Sequence, residues 1–525
     1  MAGWLSLCLI SLSTVLALLF LKLSSRKNKS KKKLPPGPWT LPIIGSLHRV
    51  VSALPHRTMT ELSRRHGPLM FLRLGEVPTV VVSNAEAAAL VMKTNDRAFA
   101  SRPCSATQDI FGCGGKGIAF APYSDHWRQM RKICVTELLN SKQVRRMEGV
   151  RAEEAGNLVR SITASAGATV NVSEKVRALS NDVVCRAVFG GKFARQDEYL
   201  RELDEAFALV GGFCLVDLFP SSRLVRWLSN GERRMRTSYG RIQRIIAGII
   251  DERKDTRAAG EMNYMYDLIR YTFLTGMTTS NVWTDMFAAA THTTSTVLEW
   301  AMSELMNNPG AMAKAQLEVR EVVGQHGAVI TNNVLGDLHY MQMVIKEVLR
   351  LHPPGPLVPR MTREDCTIMG YDMFKGTNVY VNVFAISRDP RSWENPEEFK
   401  PERFENNNIN YNGTYSEFIP FGAGRRQCPG MLFGTSTVNI TLAYLLYHLE
   451  WMFPIGTNLD TFDMSEKFGL ACCYHEERAG SAVPVVCMAA TTSPWIEGSH
   501  ANVHGSGAPE TVLPASLDGV EELGA

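Results

Sequence analysis

Phe421-Gly422-Ala423-Gly424-Arg425-Arg426-Gln427-Cys428-Pro429-Gly430 puts one cysteine at the end of a loop rich in glycine and arginine, and a long apolar helical pattern, Met431 to Leu446, follows it. With Cys428 at the N-cap, Pro429 becomes the first helical residue, where a missing N–H costs nothing. The free N–H groups and the positive end of that helix then face the sulfur and favour a thiolate. Gly424 and Gly430 remove side chains where a flat ligand must approach the backbone. Phe421 offers an apolar wall beside the sulfur, and Arg426 a cation for an acidic group at the ligand's edge. A lone intracellular cysteine is ordinarily buried and inert; five such residues in one short window argue against that here.

A thiolate facing a planar, acid-bearing partner is the arrangement of haem iron held by cysteine, which donates electron density and favours O–O cleavage. The loop resembles the Phe-x-x-Gly-x-Arg-x-Cys-x-Gly signature of cytochromes P450, with Phe421, Gly424, Arg426, Cys428 and Gly430 in its fixed places. The resemblance implies haem b, with Cys428 as the axial ligand of the iron and the other four residues around the cofactor. Trp127 and Arg131, four apart on one face of a helical pattern, match the pair that reaches a haem propionate in that family.

Asn281 to Asn307 is one long helical pattern containing Ala289-Ala290-Thr291-His292-Thr293-Thr294. Hydroxyls inside a helix bond preceding carbonyls and open a groove for dioxygen and water. The resemblance makes Thr293 the proton-relay hydroxyl, with His292 and Thr294 beside it as catalytic candidates. His292 stands where plant relatives carry Asp or Glu, and Ala290 where they carry glycine. Histidine carries protons near neutral pH, so His292 is either a poorer proton carrier that leaks reduced oxygen or a side chain turned elsewhere.

Glu347 and Arg350 share a face of the amphipathic run Leu338 to Leu351, and Phe399-Lys400-Pro401-Glu402-Arg403-Phe404 brings a second guanidinium. One carboxylate between two guanidiniums makes a charge-assisted cluster. In the family this cluster is structural and holds the haem loop to the helix. The proline-rich turn after His352 ends the helix abruptly. The resemblance puts its Arg360 near a propionate, although the turn is shorter than the plant pattern.

Trp4 to Leu23 is almost wholly apolar and long enough to cross a bilayer. Arg26, Lys27, Lys29, Lys31, Lys32 and Lys33 follow it, which leaves the bulk of the chain cytosolic. A signal peptide would carry its basic residues on the other flank. Pro35, Pro36 and Pro38 stiffen the connector. The expected organisation is an anchor at 1–25, a basic and proline-rich hinge at 26–38, a catalytic domain at 39–487 and a disordered tail at 488–525, which lacks periodicity. Within the domain, Leu69 to Leu74 and Thr79 to Val82 read as strands, Ala206 to Leu218 as either core or the roof of a substrate channel. Gly112 to Gly117 lacks the Gly-Lys-Ser/Thr spacing of a phosphate loop.

With 525 residues, 45% of them apolar, a large core can be buried, and a net charge of +4 gives no ground for nucleic-acid binding. Eleven cysteines without zinc-type pairing fit a reducing compartment. The resemblance extends from the anchor to about Leu470 and implies a plant microsomal P450 of specialised metabolism. Its fold would be mainly α with a small β region, a triangular helical prism behind a transmembrane helix. The implied setting is single-pass in the endoplasmic reticulum membrane, in contact with lipid. The implied reaction puts one atom of dioxygen into a lipophilic plant metabolite, terpenoid by preference, phenylpropanoid or indole-derived otherwise. Electrons would come from NADPH through a membrane-bound reductase whose acidic face suits Lys132, Arg425 and Arg426. Two alternatives stay open: a peroxide-rearranging haem-thiolate enzyme needing no reductase, and an impaired haem-binding relic, prompted by divergence from Ala471 onward.

Overall fold

The computed structural model describes residues 33–50, 54–165, 169–257, 279–453, 464–467, 469–470, 473–474, 487–488 and 491–492. The expected anchor lies outside them, as does most of the expected tail. Among the described residues no helix is long and apolar enough to cross a membrane.

Runs of Val and Leu bounded by glycine form the antiparallel hairpin of β1 (Leu69–Leu74) and β2 (Val77–Val82). Helices follow: α1 (Ala106–Phe111), α2 (Asp125–Ile133), α3 (Glu148–Thr163), α4 (Val172–Phe189), α5 (Gln196–Val210), α6 (Gly231–Arg257), α7 (Thr279–Asn307), α8 (Pro309–Gln325) and α9 (His339–Leu351). Ser105, Ser124 and Asn171 cap α1, α2 and α4, each side chain accepting a backbone N–H of the first turn. Then come β3 (Leu357–Met361), β4 (Asn378–Asn382) and α10 (Met431–His448). The sheet order is β1-β2-β4-β3, with β2 parallel to β4 and β3 antiparallel to it. The fold is therefore mostly helical with a small sheet region.

The core is shared by α3, α4, α7, α8, α9 and α10. α7 crosses its middle, burying Leu298, Trp300, Ala301 and Leu305. α10 buries residues on every side, including Val438, Leu442 and Leu446, as a helix apolar all round must. These two helices form the frame of the site.

Several expectations change in detail. The helix that carries Trp127 and Arg131 begins at Asp125 and ends in a wider π turn, Cys134–Leu138, closed by Leu139 N–H on the Cys134 carbonyl at 2.9 Å. Of the two readings of Ala206 to Leu218, core prevails for its first part: Ala206, Phe207, Leu209 and Val210 are buried with Phe111 and Phe120. Two short pairings bring late residues onto the domain. Cys487–Met488 pairs with Val170–Asn171, and Thr491–Thr492 with Leu449–Glu450.

Candidate active site

The cysteine loop is closed on itself by the Cys428 N–H, which donates to the Phe421 carbonyl at 2.9 Å. That bond holds Cys428 and Pro429 in a turn ahead of the helix. The N-cap is Gly430, and α10 starts at Met431, which corrects the placement of Cys428 at the cap. Gly424 also has a different task from the one expected. Its φ is +68°, and an added Cβ would overlap the Met92 carbonyl and sit 2.8 Å from Asp96 Cγ. It therefore serves a backbone crossing, not the approach of a ligand. Asp96 completes the crossing by accepting the Arg425 N–H at 2.8 Å. Gly430 does face the sulfur, since a Cβ there would stand 3.9 Å from Cys428 Sγ.

Cys428 opens into a cavity yet lies deep in the protein. Burial pushes its thiol up, with the Gly430 N–H and Arg131 pulling the other way. Burial thus works against the charged sulfur that the helix end favours, and a coordinating metal is what deprotonates such a group.

Two lobes of the cavity, about 260 and 310 Å³, meet at Cys428. α7 forms the opposite wall with Ala289, Thr293 and Thr294. Thr293 Oγ1 donates to the Ala289 carbonyl at 2.7 Å while remaining open to the cavity. Gly434 brings α10 up to this wall: a Cβ there would be in ordinary contact with Thr294 Oγ1, at 3.7 Å.

His292 does not stand in the expected acid's place. Its Nε2 lies 3.5 Å from Asp204 Oδ1, and its ring 4.5 Å from that of Phe207, both on α5. One residue turns a helix by about 100°; the step forward to Thr294 stays on the cavity wall, whereas the step back to His292 turns the side chain to the α5 face. Burial pushes the Asp204 carboxyl up, but His292 and Arg177 outweigh it and leave it lowered.

At the edge of the larger lobe, Arg102, Arg131 and Arg426 stand with Trp127. Arg360 is fully buried nearby, and Arg102 and Arg131 act on its charge. Arg426 donates from Nε to the Ala100 carbonyl at 2.7 Å and from Nη2 to that of Ala121 at 2.6 Å, its guanidinium 3.9 Å from the Trp127 ring. Arg131 Nη2 donates to the Gln427 carbonyl at 2.6 Å, and Trp127 Nε1 to that of Ile118 at 3.0 Å. Arg360 Nη2 reaches the Ala423 carbonyl at 3.4 Å, and its Nε has no partner among the described residues. Burial, then repulsion from Arg102, Arg360 and Arg131, drives Arg426 down to about 8. Arg102 falls to about 10, first through burial and then through Arg131. Asp96 is the acidic group that acts on Arg360, and it is committed to Arg425.

Such a cluster is costly to bury without anions. A flat ligand carrying two carboxylates beside an iron fits its charge, the apolar slot and the Cys428 sulfur together, and haem is such a ligand. Arg102 is the member of the cluster that the sequence does not single out. Its isolated position in Ser101-Arg102-Pro103 carries no helical or strand period that would mark it. Arg426, 5% exposed, is too deep to belong to a docking surface for a reductase, which corrects that expectation; Lys132 and half of Arg425 remain exposed.

The second cluster is built quite differently. Glu347 takes both Nε and Nη2 of Arg350 at 2.7 and 2.8 Å, and also Arg403 Nε and the Lys400 N–H, each at 2.8 Å. Arg350 goes on to the carbonyls of Ser387 and Pro396 at 2.8 and 2.7 Å. The cluster binds α9 to the 387–403 segment. From there the rings of Trp393, Phe404, Phe418, Tyr411 and Phe421 run in contact to the cysteine loop.

A buried thiol below a helix of hydroxyls, with a cationic edge short of anions, defines a haem-thiolate site. Residues 35–472 match the family Cytochrome P450, and the chain belongs to that family. It is 44% identical to zealexin A1 synthase of Zea mays over 88% of this chain and 95% of that protein. Identity to ent-isokaurene C2/C3-hydroxylase of Oryza sativa subsp. japonica is also 44%, over 88% and 94%. Identity to desmethyl-deoxy-podophyllotoxin synthase of Sinopodophyllum hexandrum is 43%, over 88% and 94%. The chain is a plant P450 monooxygenase of specialised metabolism that carries haem b on a cysteine thiolate and acts on lipophilic metabolites. Nothing in these likenesses favours the peroxide-rearranging alternative or the relic.

Proposed function

We propose that this monooxygenase hydroxylates a terpenoid skeleton at the membrane surface, taking electrons from NADPH through a membrane-bound reductase. The observation that carries the proposal is the opposition of Cys428 and Thr293 across a cavity walled mainly by apolar side chains such as Val184, Met286 and Phe433. The hydroxylase names ent-isokaurene and 5-epiaristolochene among the relatives are those of terpenes and support the substrate class.

Bound at Cys428, haem supplies the activation of dioxygen for insertion into a C–H bond. The protein does the rest. Arg102, Arg131, Arg360 and Arg426 would hold the acidic edge of the cofactor, and Trp127 packs under Arg426. Apolar walls exclude water and orient a substrate that offers few hydrogen-bonding groups. Thr293 Oγ1, its own proton on the Ala289 carbonyl, keeps lone pairs towards the cavity and can hold a water there by accepting one of its hydrogens, leaving that water's other proton free to be delivered. Thr294 flanks it on the same wall. His292 takes no part in this transfer.

A membrane position is supported by the short helix Arg223–Leu228, where Leu224, Trp227 and Leu228 are exposed, Trp227 by 80%, beside Arg223 and Arg226. Aromatic and aliphatic tips among arginines suit a lipid headgroup layer. The apolar segment 4–23 would add the anchor in the endoplasmic reticulum.

The test is expression in yeast membranes with a plant reductase. Reduced membranes under carbon monoxide should show the thiolate-haem absorption, and a panel of sesquiterpene and diterpene hydrocarbons with NADPH should yield a hydroxylated product. Thr293→Ala should keep NADPH oxidation while most product is lost. Absence of the absorption, or its survival in Cys428→Ser, defeats the proposal.

A further inference from the structure

A carboxylate that the mechanism leaves unused stands in the wall of the cavity. Asp285 lies on α7 about two turns before Thr293 and is 6% exposed. Its Oδ2 accepts the backbone N–H of Ile118 at 2.6 Å and that of Ala119 at 3.1 Å. Ile118 is held from the other side as well. Its carbonyl accepts from Trp127 Nε1 at 3.0 Å and from Arg426 Nη1 at 3.4 Å. Segment 117–119 is therefore strung between the distal helix and the cationic edge of the site.

Gly117 makes this span possible, because a Cβ there would overlap Asp285 Oδ2. Ile118 and Ala119 line both lobes of the cavity. They are the two residues whose backbone Asp285 holds, so the carboxylate reaches the substrate space through them. Burial pushes the Asp285 carboxyl up to about 6, the two N–H donors pulling part of the way back. The titratable groups that face it are Cys134 beyond α2, Cys113 in the loop after α1 and Tyr239 on α6, all raised chiefly by burial.

Building on the monooxygenase reading above, we infer that Asp285 is a positioning residue for substrate selection: it fixes how far Ile118 and Ala119 project over the sulfur, and so the outline of lipophile that fits. A bend with two consecutive backbone donors turned into a buried wall needs an acceptor, and a single carboxylate oxygen taking both holds the pair in one register. Without it the donors are orphaned and the wall retreats or collapses into the cavity.

The experiment uses the full-length holoprotein in detergent, as wild type and as Asp285→Ala, Asp285→Asn and Gly117→Ala. Two probes are titrated optically: imidazole, too small to touch the wall, and 4-phenylimidazole, whose ring meets it. Asp285→Ala and Gly117→Ala should each weaken 4-phenylimidazole by about tenfold, a small free-energy loss, with imidazole nearly unchanged. Asp285→Asn, whose amide oxygen still accepts, should restore most of the selectivity. Backbone hydrogen exchange at Ile118 and Ala119 should quicken in Asp285→Ala and not in Asp285→Asn. If Asp285→Ala fails to fold, Gly117→Ala decides alone, since it leaves the carboxylate present and only displaces it. Equal changes for both probes, or none for either, overturn the inference. A wild-type protein that binds neither probe overturns the monooxygenase reading instead.

Discussion

Among the described residues, the arginines around Glu347 and those at the edge of the cavity are both largely withdrawn from solvent, and they differ in what balances them. Arg350 and Arg403 share Glu347, and their remaining N–H groups end on backbone carbonyls. Arg102, Arg131, Arg360 and Arg426 repel one another, and Asp96 nearby is committed to Arg425. A complete cluster is a piece of architecture. An incomplete one describes the ligand that finishes it, here by charge and by shape.

The sharpest way to break that contrast is to remove the anion from the complete cluster. Glu347→Ala leaves two buried guanidiniums without their carboxylate and should cost about 3–5 kcal/mol; urea unfolding of the apoprotein measures it, and a loss under 1 kcal/mol would erase the distinction. Removing a cation from the incomplete cluster should act in the opposite sense. Arg360→Met relieves repulsion, so the apoprotein should hold its stability or gain about 1–3 kcal/mol. Its haem affinity should fall at the same time, as read by transfer of haem to apomyoglobin.

The same logic gives a pH dependence. Asp285 in the folded protein titrates near 6, above its ordinary value. Between the unfolded and folded pKa the native state holds more protons, so its stability falls as pH rises through that window. Asp285→Asn should remove this slope, gaining about 2–3 kcal/mol over the wild type at pH 8 and nothing below pH 4. Paired urea titrations at both pH values test the sign. The smallest effect is expected at His292. An aspartate there would face Asp204, so His292→Asp should cost about 1 kcal/mol at neutral pH and leave product formed per NADPH no better than before; improved coupling would place the side chain in the cavity after all.

The cysteine loop was readable because its five marker residues follow one another in the chain. Helix existence was readable too, since α7, α9 and α10 carry long apolar patterns, and their observed bounds lie close to the expected ones. What escaped the sequence depends on neighbours remote in the chain. Gly424 answers to Met92 and Asp96, and Arg102 gains its meaning only beside Arg131, Arg360 and Arg426. Asp285 sits in an apolar helical pattern whose partner is a loop at 118–119. For His292 the sequence left two readings open, and the one turned elsewhere holds; one step of helical rotation separates them, a difference that no local pattern records.

The crossing of Gly424 over Met92 bears on the order of assembly. The bond from the Arg425 N–H to Asp96 spans 329 residues, so the sulfur-bearing loop waits for the early and late parts of the chain to meet. Closing so long a loop is slow and comes after local helices form. A ribosome-bound chain that has not yet released residue 424 lacks this seat for the iron, and cofactor loading belongs to the final stage of maturation.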